Sequence, residues 1–194
     1  MEDKRVQKTK KTLRNTMLDL LESKDFEDIS VTELCEQAQI SRITFYSHYS
    51  DKYELINDLF ENIINDTTAF YYAMERENNP AHDPVESYCN LLECILDICY
   101  NKLPVFANTG RRDSYLIYST YQYIMKYVRI VMEKASEKLR PKFPVDKTTS
   151  FICNGILGYV NSCLSEKNSP DAIRCEVRDL LRSLISSDVL FYQD

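Results

Sequence analysis

The chain has 194 residues, of which 44% are hydrophobic, so it has enough apolar material for a core and is not a disordered tail. Its formal charge of −6 argues against a protein that coats nucleic acid without regard to sequence. The three glycines and six prolines are few, which favours long helices, and the glycines are not placed as in a phosphate-binding loop.

The N-terminal part is predicted to contain three helices. The first runs from about residue 4 to 22, where apolar residues between Leu13 and Leu21 recur at helical spacing. Ser30 and Glu33 form a capping box that starts a second helix, which ends near Ala38. After a short turn at residues 39–40, Ser41 is expected to cap a third helix over residues 42–48.

The rest of the chain is predicted to be helical as well. Asp51 is expected to cap a long fourth helix over residues 52–75, and the later helices follow at 85–102, 114–138, 146–166 and 170–188. Pro104 and Gly110 interrupt the chain between two of them. The sequence therefore predicts an all-α protein of about nine helices. We expect a three-helix head over residues 1–51 and a larger body over residues 52–194.

The distribution of charge along the chain bears on DNA binding and on cellular location. Residues 4–14 hold six bases and no acid, but residues 1–52 hold 9 bases and 10 acids, so any DNA contact must come from local placement of the bases. The N-terminus is charged and no run of 18 apolar residues occurs, which predicts a cytoplasmic protein without a membrane span.

The seven cysteines suit a reducing compartment. Cys89, Cys94 and Cys99 are spaced by five residues, which turns about 140° around a helix, so they cannot share a metal ion. We expect no metal or cofactor. Most cysteines are interpreted as small buried hydrophobes, with a redox-sensing thiol as the alternative.

Residues 30–52 carry the functional signal. The second and third predicted helices are short and joined by a tight turn, with Leu34, Ile40 and Phe45 inward. This arrangement leaves the outer face of the third helix exposed. That face offers hydrogen-bonding groups around one aliphatic side chain, Ile43, a mixture suited to base edges and phosphates in a major groove. The alternative is an ordinary helical hairpin whose Tyr-rich helix serves packing.

The same stretch resembles the DNA-binding head of TetR/AcrR-type transcriptional regulators. The resemblance is carried by five short segments: Val31-Thr32-Glu33-Leu34, Ala38-Gln39-Ile40-Ser41, Thr44-Phe45-Tyr46, His48-Tyr49 and Lys52. Two residues depart from the family's pattern: Gln39 stands where Gly is usual, and Ile43 where Gly is frequent. Gln39 must hold the turn without the conformational freedom of glycine, and Ile43 would present an apolar group to DNA, for which a thymine methyl is a natural partner.

The resemblance implies roles for individual residues. Base reading is expected of Arg42, Ile43, Tyr46 and Thr32, with Arg42 suited to a guanine. Phosphate contacts are expected of Thr44, Tyr46, His48 and Lys52. For His48, a plain surface histidine is an equal alternative. For Lys52, the alternative is a solvated lysine, which is disfavoured because a cation at a helix N-terminus opposes the helix dipole.

The body offers two further expectations. Residues 148–164 are apolar on nearly every side, with Gly155 and Gly158 close together, and paired small residues allow close helix approach. In the resembling family the last two helices form a four-helix dimer interface, which implies a homodimer through residues 148–188. The alternative is an intramolecular core helix. This segment also resembles the C-terminal part of regulators related to dihydroxyacetone kinase activators.

A crowd of tyrosines on one helix suggests a pocket for a small-molecule effector, because an apolar cavity with a few hydroxyls suits a small ligand. The candidates are Tyr115, Tyr118, Tyr121, Tyr123 and Tyr127. The alternative is core and interface packing.

Together these features predict a DNA-binding transcriptional regulator, a repressor by its resemblance, which binds a palindromic operator on double-stranded DNA as a dimer and responds to a small molecule. Two alternatives remain: an all-α enzyme, although no nucleophile–base or metal spacing stands out, and a helical interaction protein whose head does not bind DNA.

Overall fold

The computed structural model describes residues 4–103, 113–135, 140–166 and 168–192. Within these ranges the chain forms eight α-helices, together with a 3₁₀ turn at Phe26–Asp28 and a π-helical turn at Ile98–Lys102. The predicted all-α class is confirmed. None of the helices in the described ranges is long and apolar enough to cross a membrane.

The helices are α1 (Lys4–Leu21), α2 (Val31–Ala38), α3 (Arg42–Tyr46), α4 (Lys52–Asn78), α5 (Pro84–Asp97), α6 (Ser114–Ala135), α7 (Val145–Ser165) and α8 (Pro170–Ile185). They begin within about one residue of the predicted starts, whereas several ends differ. α5 gives way to the π-helical turn instead of reaching residue 102 as an α-helix. The predicted break at Pro104 and Gly110 and the predicted end near residue 138 lie outside the described residues.

Capping side chains explain the agreement at the helix starts. Each accepts a hydrogen bond from a backbone N–H of the first turn, which has no partner within the helix, and such a cap is typically worth about 1 kcal/mol. The caps are Ser30 for α2, Ser41 for α3, Asp51 for α4, Asp83 for α5 and Ser169 for α8. These signals are local, so sequence alone locates them.

The N-terminal helices enclose their own part of the hydrophobic core. Leu13 of α1, Leu34 of α2 and Phe45 of α3 are fully buried, as is Leu55 in the first turn of α4. α4 packs against α1 with these early turns and continues towards the body. α4 begins at Lys52, the first residue of the predicted body, and the division into head and body stays a prediction.

α5 lies in the middle of the body, where it packs against α4, α6 and α8. Its corner with α4 is fixed by a buried carboxylate, Glu75. Asn79 and Asn90 donate side-chain N–H groups to Glu75, and the Ser87 hydroxyl donates at 3.0 Å. A buried carboxylate is costly unless such donors satisfy it, so this cluster stabilises one geometry of the corner.

Cys175 is exposed, and the other six cysteines are buried. Burial raises the pKa of Cys89 to about 11 and the pKa of Cys94, Cys99 and Cys153 to about 12. These groups are therefore neutral thiols at pH 7 and pack as small hydrophobes, as predicted.

Candidate nucleic-acid interface

The turn between α2 and α3 is formed by Gln39, which adopts the left-handed conformation with φ 55° and ψ 41°. Its N–H donates to the carbonyl of Glu36, and the next N–H, of Ile40, donates to the carbonyl of Cys35 at 2.9 Å. Those bonds satisfy carbonyls at the end of α2 and reverse the chain. A side chain in this conformation costs roughly 1 kcal/mol relative to glycine, which the surrounding contacts offset.

α3 is a short helix anchored by one aromatic residue. Phe45 is fully buried, with Tyr46 and Tyr49 in contact with its ring at centroid distances of 5.4 and 5.9 Å. The Ser41 hydroxyl accepts the Thr44 N–H at 3.1 Å and caps the helix. Because the anchor and the cap fix both the position and the start of α3, its opposite face points consistently away from the core.

That opposite face carries the predicted base-reading residues. Ile43 is 85% exposed and Tyr46 is 50% exposed, and Arg42 is also exposed. The Arg42 guanidinium lies 6.0 Å from the centre of the Tyr46 ring, which holds the long side chain along the helix surface. An isoleucine this exposed in the free protein is unfavourable in water, so contact with an apolar group would be favourable. Thr32 is also exposed, at the start of α2.

The predicted phosphate-binding residues fall into two groups. Thr44 and His48 are half-buried at the edge of the same face, and the Thr44 hydroxyl lies 2.8 Å from the Ser41 hydroxyl. Tyr46 is exposed beside them. Lys52, in contrast, is held inside the head.

The Lys52 ammonium donates to three backbone carbonyls, those of Phe26, Glu27 and Ile29, at 2.9, 2.8 and 3.0 Å. It also lies 4.7 Å from the centre of the Phe26 ring, and its side chain is 14% exposed. An ammonium has three N–H donors, and all three are used here. These bonds explain why a cation stands at the first position of α4, where the helix dipole disfavours it. Phosphate binding by Lys52 stays a prediction, and it would require these bonds to open.

A second network positions the end of α3 against α4. Asp58 accepts hydrogen bonds from Arg14 at 2.8 Å and from the Tyr49 hydroxyl at 2.6 Å. Burial opposes ionisation of Asp58, but the bonds from Tyr49 and Arg14 and the charge of Arg14 outweigh it, and its pKa lies below the ordinary value. Sequence reasoning missed these residues, because Arg14 and Asp58 are 44 positions apart and no local spacing pairs them.

The outer part of α1 adds positive charge to the head. Lys4, Lys8 and Lys11 are exposed. Lys10 is half-buried, with its ammonium 5.7 Å from the centre of the Tyr49 ring. The positive charge of the head is therefore concentrated on α1, although the bases and acids of residues 1–52 nearly cancel.

The tyrosines predicted to line an effector pocket lie in different surroundings. Tyr115 stacks on Phe26 of the head at 4.5 Å, and Tyr123 contacts Phe60 of α4 at 5.2 Å. Tyr118 is 65% exposed, Tyr121 is half-buried, and the side chain of Tyr127 lies outside the described part. Tyr115 and Tyr123 thus contact other parts of the chain, and a pocket lined by these tyrosines stays a prediction.

The surface of α7 carries a stripe of small and aromatic residues. Phe151, Gly155, Gly158 and Ser162 recur at helical spacing and all four are exposed, Phe151 by 62%. A side-chain carbon added at either glycine would meet nothing within 4 Å. Among the described residues, no part of the chain makes the close approach expected at these glycines.

The fold and the exposed face of α3 define a helix-turn-helix protein with an all-helical body. Comparison with protein-family models gives no match. Among curated proteins, the dhaKLM operon transcriptional activator DhaS of Lactococcus lactis is 34% identical over 67 residues, 32% of this chain and 36% of that protein. The helix-turn-helix regulator YxbF of Bacillus subtilis is 35% identical over 60 residues, 30% of this chain and 16% of that protein. The matches thus span about a third of DhaS and less of YxbF.

Solved structures match over nearly the full length. NalD of Pseudomonas aeruginosa, the secondary repressor of the MexAB-OprM efflux pump, has a TM-score of 0.64 at 14% identity, covering 97% of this chain and 100% of that one. A TetR/AcrR-type regulator of Aquifex aeolicus gives 0.58 at 18%, covering 91% and 99%. DhaS gives 0.56 at 20%, covering 91% and 96%. The chain has the fold of the TetR/AcrR-type regulators, which confirms the resemblance seen in residues 31–52.

Proposed function

We propose that the chain is a transcriptional regulator that binds a near-palindromic operator on double-stranded DNA. The observation that carries the proposal is the exposed face of α3, on which Arg42, Ile43 and Tyr46 point outward while Phe45 anchors the helix from behind. A rigid helix with a guanidinium, an aliphatic and a phenol on one face can donate to base edges and contact a thymine methyl. The relatives named above are transcriptional regulators, which supports the same class.

Within this proposal the head is residues 1–51 and the body residues 52–194. Arg42, Ile43, Tyr46 and Thr32 read bases. Thr44, Tyr46 and His48 contact phosphates at the edge of the same face, and Lys52 reaches a phosphate only if its bonds within the head open. The protein is proposed to act in the cytoplasm as a regulator and not as an enzyme. Repression is the proposed direction of regulation, as named for NalD; DhaS is named an activator. Transcription in vitro from the bound operator distinguishes the two.

The proposed assembly is a homodimer through residues 148–188. The stripe on α7 supports it, because Phe151 is exposed and Gly155 and Gly158 leave open space that a second helix could approach closely. Leu180 on α8 is 46% exposed as well. A two-fold dimer would present two α3 helices to successive major grooves, which is why a near-palindromic operator is expected.

A small-molecule effector is proposed to bind within the body, residues 85–165, and to change the affinity for DNA. Such coupling typically amounts to about 1–3 kcal/mol and must be reciprocal, so operator must change effector affinity by the same factor. A metabolite screen by thermal shift, repeated with and without operator, tests it. A set of ligands that all bind equally in both conditions would remove this part of the proposal.

The direct test of DNA binding is a mobility-shift titration of the protein with its own upstream DNA, at physiological salt and with excess non-specific competitor. The proposal predicts a retarded band that survives the competitor. Arg42→Ala should weaken that band, because one base pair of each half-site is no longer specified. Arg76→Ala is the matched control, since Arg76 is an exposed arginine in the last turn of α4, about 36 Å along the helix from Lys52. Absence of any competitor-resistant band would refute the function.

A further inference from the structure

The head is joined to the body at a second place besides α4. The backbone N–H of Phe26, in the 3₁₀ turn between α1 and α2, donates to the Asp113 carboxylate at 2.6 Å. The two residues are 87 positions apart in the sequence. Asp113 is 8% exposed, so this bond is shielded from water, and hydrogen bonds to a carboxylate are among the stronger ones in proteins.

Asp113 is also the residue that starts α6. Its other carboxylate oxygen accepts the Leu116 N–H at 3.0 Å, and its carbonyl accepts the Ile117 N–H at 3.0 Å. One carboxylate therefore caps a body helix with one oxygen and holds the head with the other. α6 in turn packs against α4, α5 and α7.

Aromatic stacking reinforces the same contact. The Tyr115 ring lies nearly parallel to the Phe26 ring, with centroids 4.5 Å apart and planes at 12°. Tyr53, from the start of α4, meets both rings edge-on at 5.2 and 5.6 Å, and Lys52 covers Phe26. Three segments thus meet at Phe26: the link before the helix-turn-helix, the start of α4 and the start of α6.

We infer that Asp113 and Tyr115 are positioning residues, which fix the angle of the DNA-reading head on the body and so the separation of the two recognition helices in a dimer. This inference rests on the proposed function. The first turns of α4 pack within the head, so a head joined to the body by α4 alone could tilt through bending of that helix. The contact of Phe26 with Asp113 and Tyr115 is a second connection, and it opposes the tilt. Half-sites are read one helical turn of DNA apart, about 34 Å, so a small rotation of each head changes which spacing fits. Movement of α6 would reach the head through the same contact.

The sharpest test is Asp113→Asn. Asparagine caps a helix as well as aspartate does, so one oxygen can still accept the Leu116 N–H. Its other side-chain group is then an amide donor, which cannot accept the Phe26 N–H, so the hydrogen bond between Phe26 and residue 113 is lost. Asp83→Asn is the matched control, because Asp83 caps α5 through the Val85 and Glu86 N–H groups in the same manner and makes its contacts within the body.

Two measurements test the hydrogen bond from Phe26 to Asp113 and its effect on operator binding. Hydrogen exchange of the Phe26 amide should accelerate at least tenfold in Asp113→Asn and stay at the wild-type rate in Asp83→Asn. Binding should then be measured on operators whose half-sites are moved by one base pair. The discrimination against misspaced operators should fall at least threefold in Asp113→Asn, with single-base preference and salt slope unchanged. Tyr115→Leu, which keeps the helix and removes the stacking, should shift both measurements in the same direction.

Wild-type exchange at Phe26 in Asp113→Asn would overturn the inference. So would faster exchange with unchanged spacing discrimination. If the unmodified protein binds no operator at all, the proposed function is refuted, and with it the role in spacing. The exchange experiment would still report on the hydrogen bond between Phe26 and Asp113. Should Asp113→Asn fail to fold, Tyr115→Leu decides the question by the same two readouts.

Discussion

Replacing Lys52 with methionine removes the ammonium and keeps most of the side-chain stem. In the wild type this group donates to the carbonyls of Phe26, Glu27 and Ile29. Without it these three acceptors lose their shared donor, and the link between α1 and α2 loses its attachment to α4. We therefore expect Lys52→Met to destabilise the head.

The size of the effect follows from the three bonds. A hydrogen bond from a charged group contributes about 1.5–3 kcal/mol, so three set an upper bound of about 9 kcal/mol. The actual loss should be much smaller, because water can bind the carbonyl of Glu27, whose bond to Lys52 is exposed, and the cost of holding a partly buried ammonium is recovered. We expect a loss of about 2–3 kcal/mol, a large share of the 5–15 kcal/mol typical of a folded protein.

Urea denaturation at one fixed protein concentration measures this loss. The control is Lys147→Met, which removes a lysine that is 77% exposed and should change the free energy of unfolding by less than about 0.5 kcal/mol. Operator binding across salt concentrations supplies the second measurement. A phosphate contact contributes about 0.9 to the salt slope, so a Lys52 that stays within the head leaves the slope unchanged. Unchanged stability together with a slope lower by about one unit would refute this reasoning and assign Lys52 to the phosphates.

Three further outcomes are expected. Gly158→Leu should yield a monomer by sedimentation at micromolar concentration without loss of helicity, since a Cβ at Gly158 meets nothing within 4 Å in the part of the chain that the structure describes and the added side chain would block a second helix. Ala69→Leu, on the exposed surface of α4, should leave the dimer intact. A dimer in Gly158→Leu would contradict the interface. A thiol reagent at pH 7 should label one cysteine, Cys175, rapidly and all seven only in denaturant, and rapid labelling of a second would contradict the burial. Gln39→Gly should raise the free energy of unfolding by about 0.5–1 kcal/mol, because glycine relieves the left-handed strain, and a loss would show that the Gln39 side chain makes a stabilising contact.

The helix starts and the short helix α3 were predictable from the sequence because their signals are local. Ser30, Ser41 and Asp51 each cap the helix that follows within a few residues, and the spacing of Leu34 and Phe45 fixes which faces of α2 and α3 are buried. The strain at Gln39 was equally readable, since a family position that favours glycine is occupied by another residue. For these features short-range chemistry decides the structure.

The contacts that position the head were not predictable, because each joins distant parts of the chain. Asp113 reaches Phe26 and Asp58 reaches Arg14 across 87 and 44 residues, and no spacing pattern pairs them. The tyrosines of α6 show the same limit, because their number in the sequence does not specify which side of the helix each ring occupies. Tyr115 contacts the head, whereas Tyr118 faces solvent.

The central claim is that α3 reads DNA sequence, and selection from a random pool of duplex DNA tests it most directly. Wild-type protein, Arg42→Ala and the control Arg76→Ala should each be used at the same salt concentration. We expect wild type and Arg76→Ala to enrich the same near-palindrome, and Arg42→Ala to enrich that palindrome with one base pair of each half-site no longer specified, at a cost of about 1–3 kcal/mol in affinity. An unselective pool for the wild type, or a motif unchanged by Arg42→Ala, would contradict the assignment of α3 as the recognition helix.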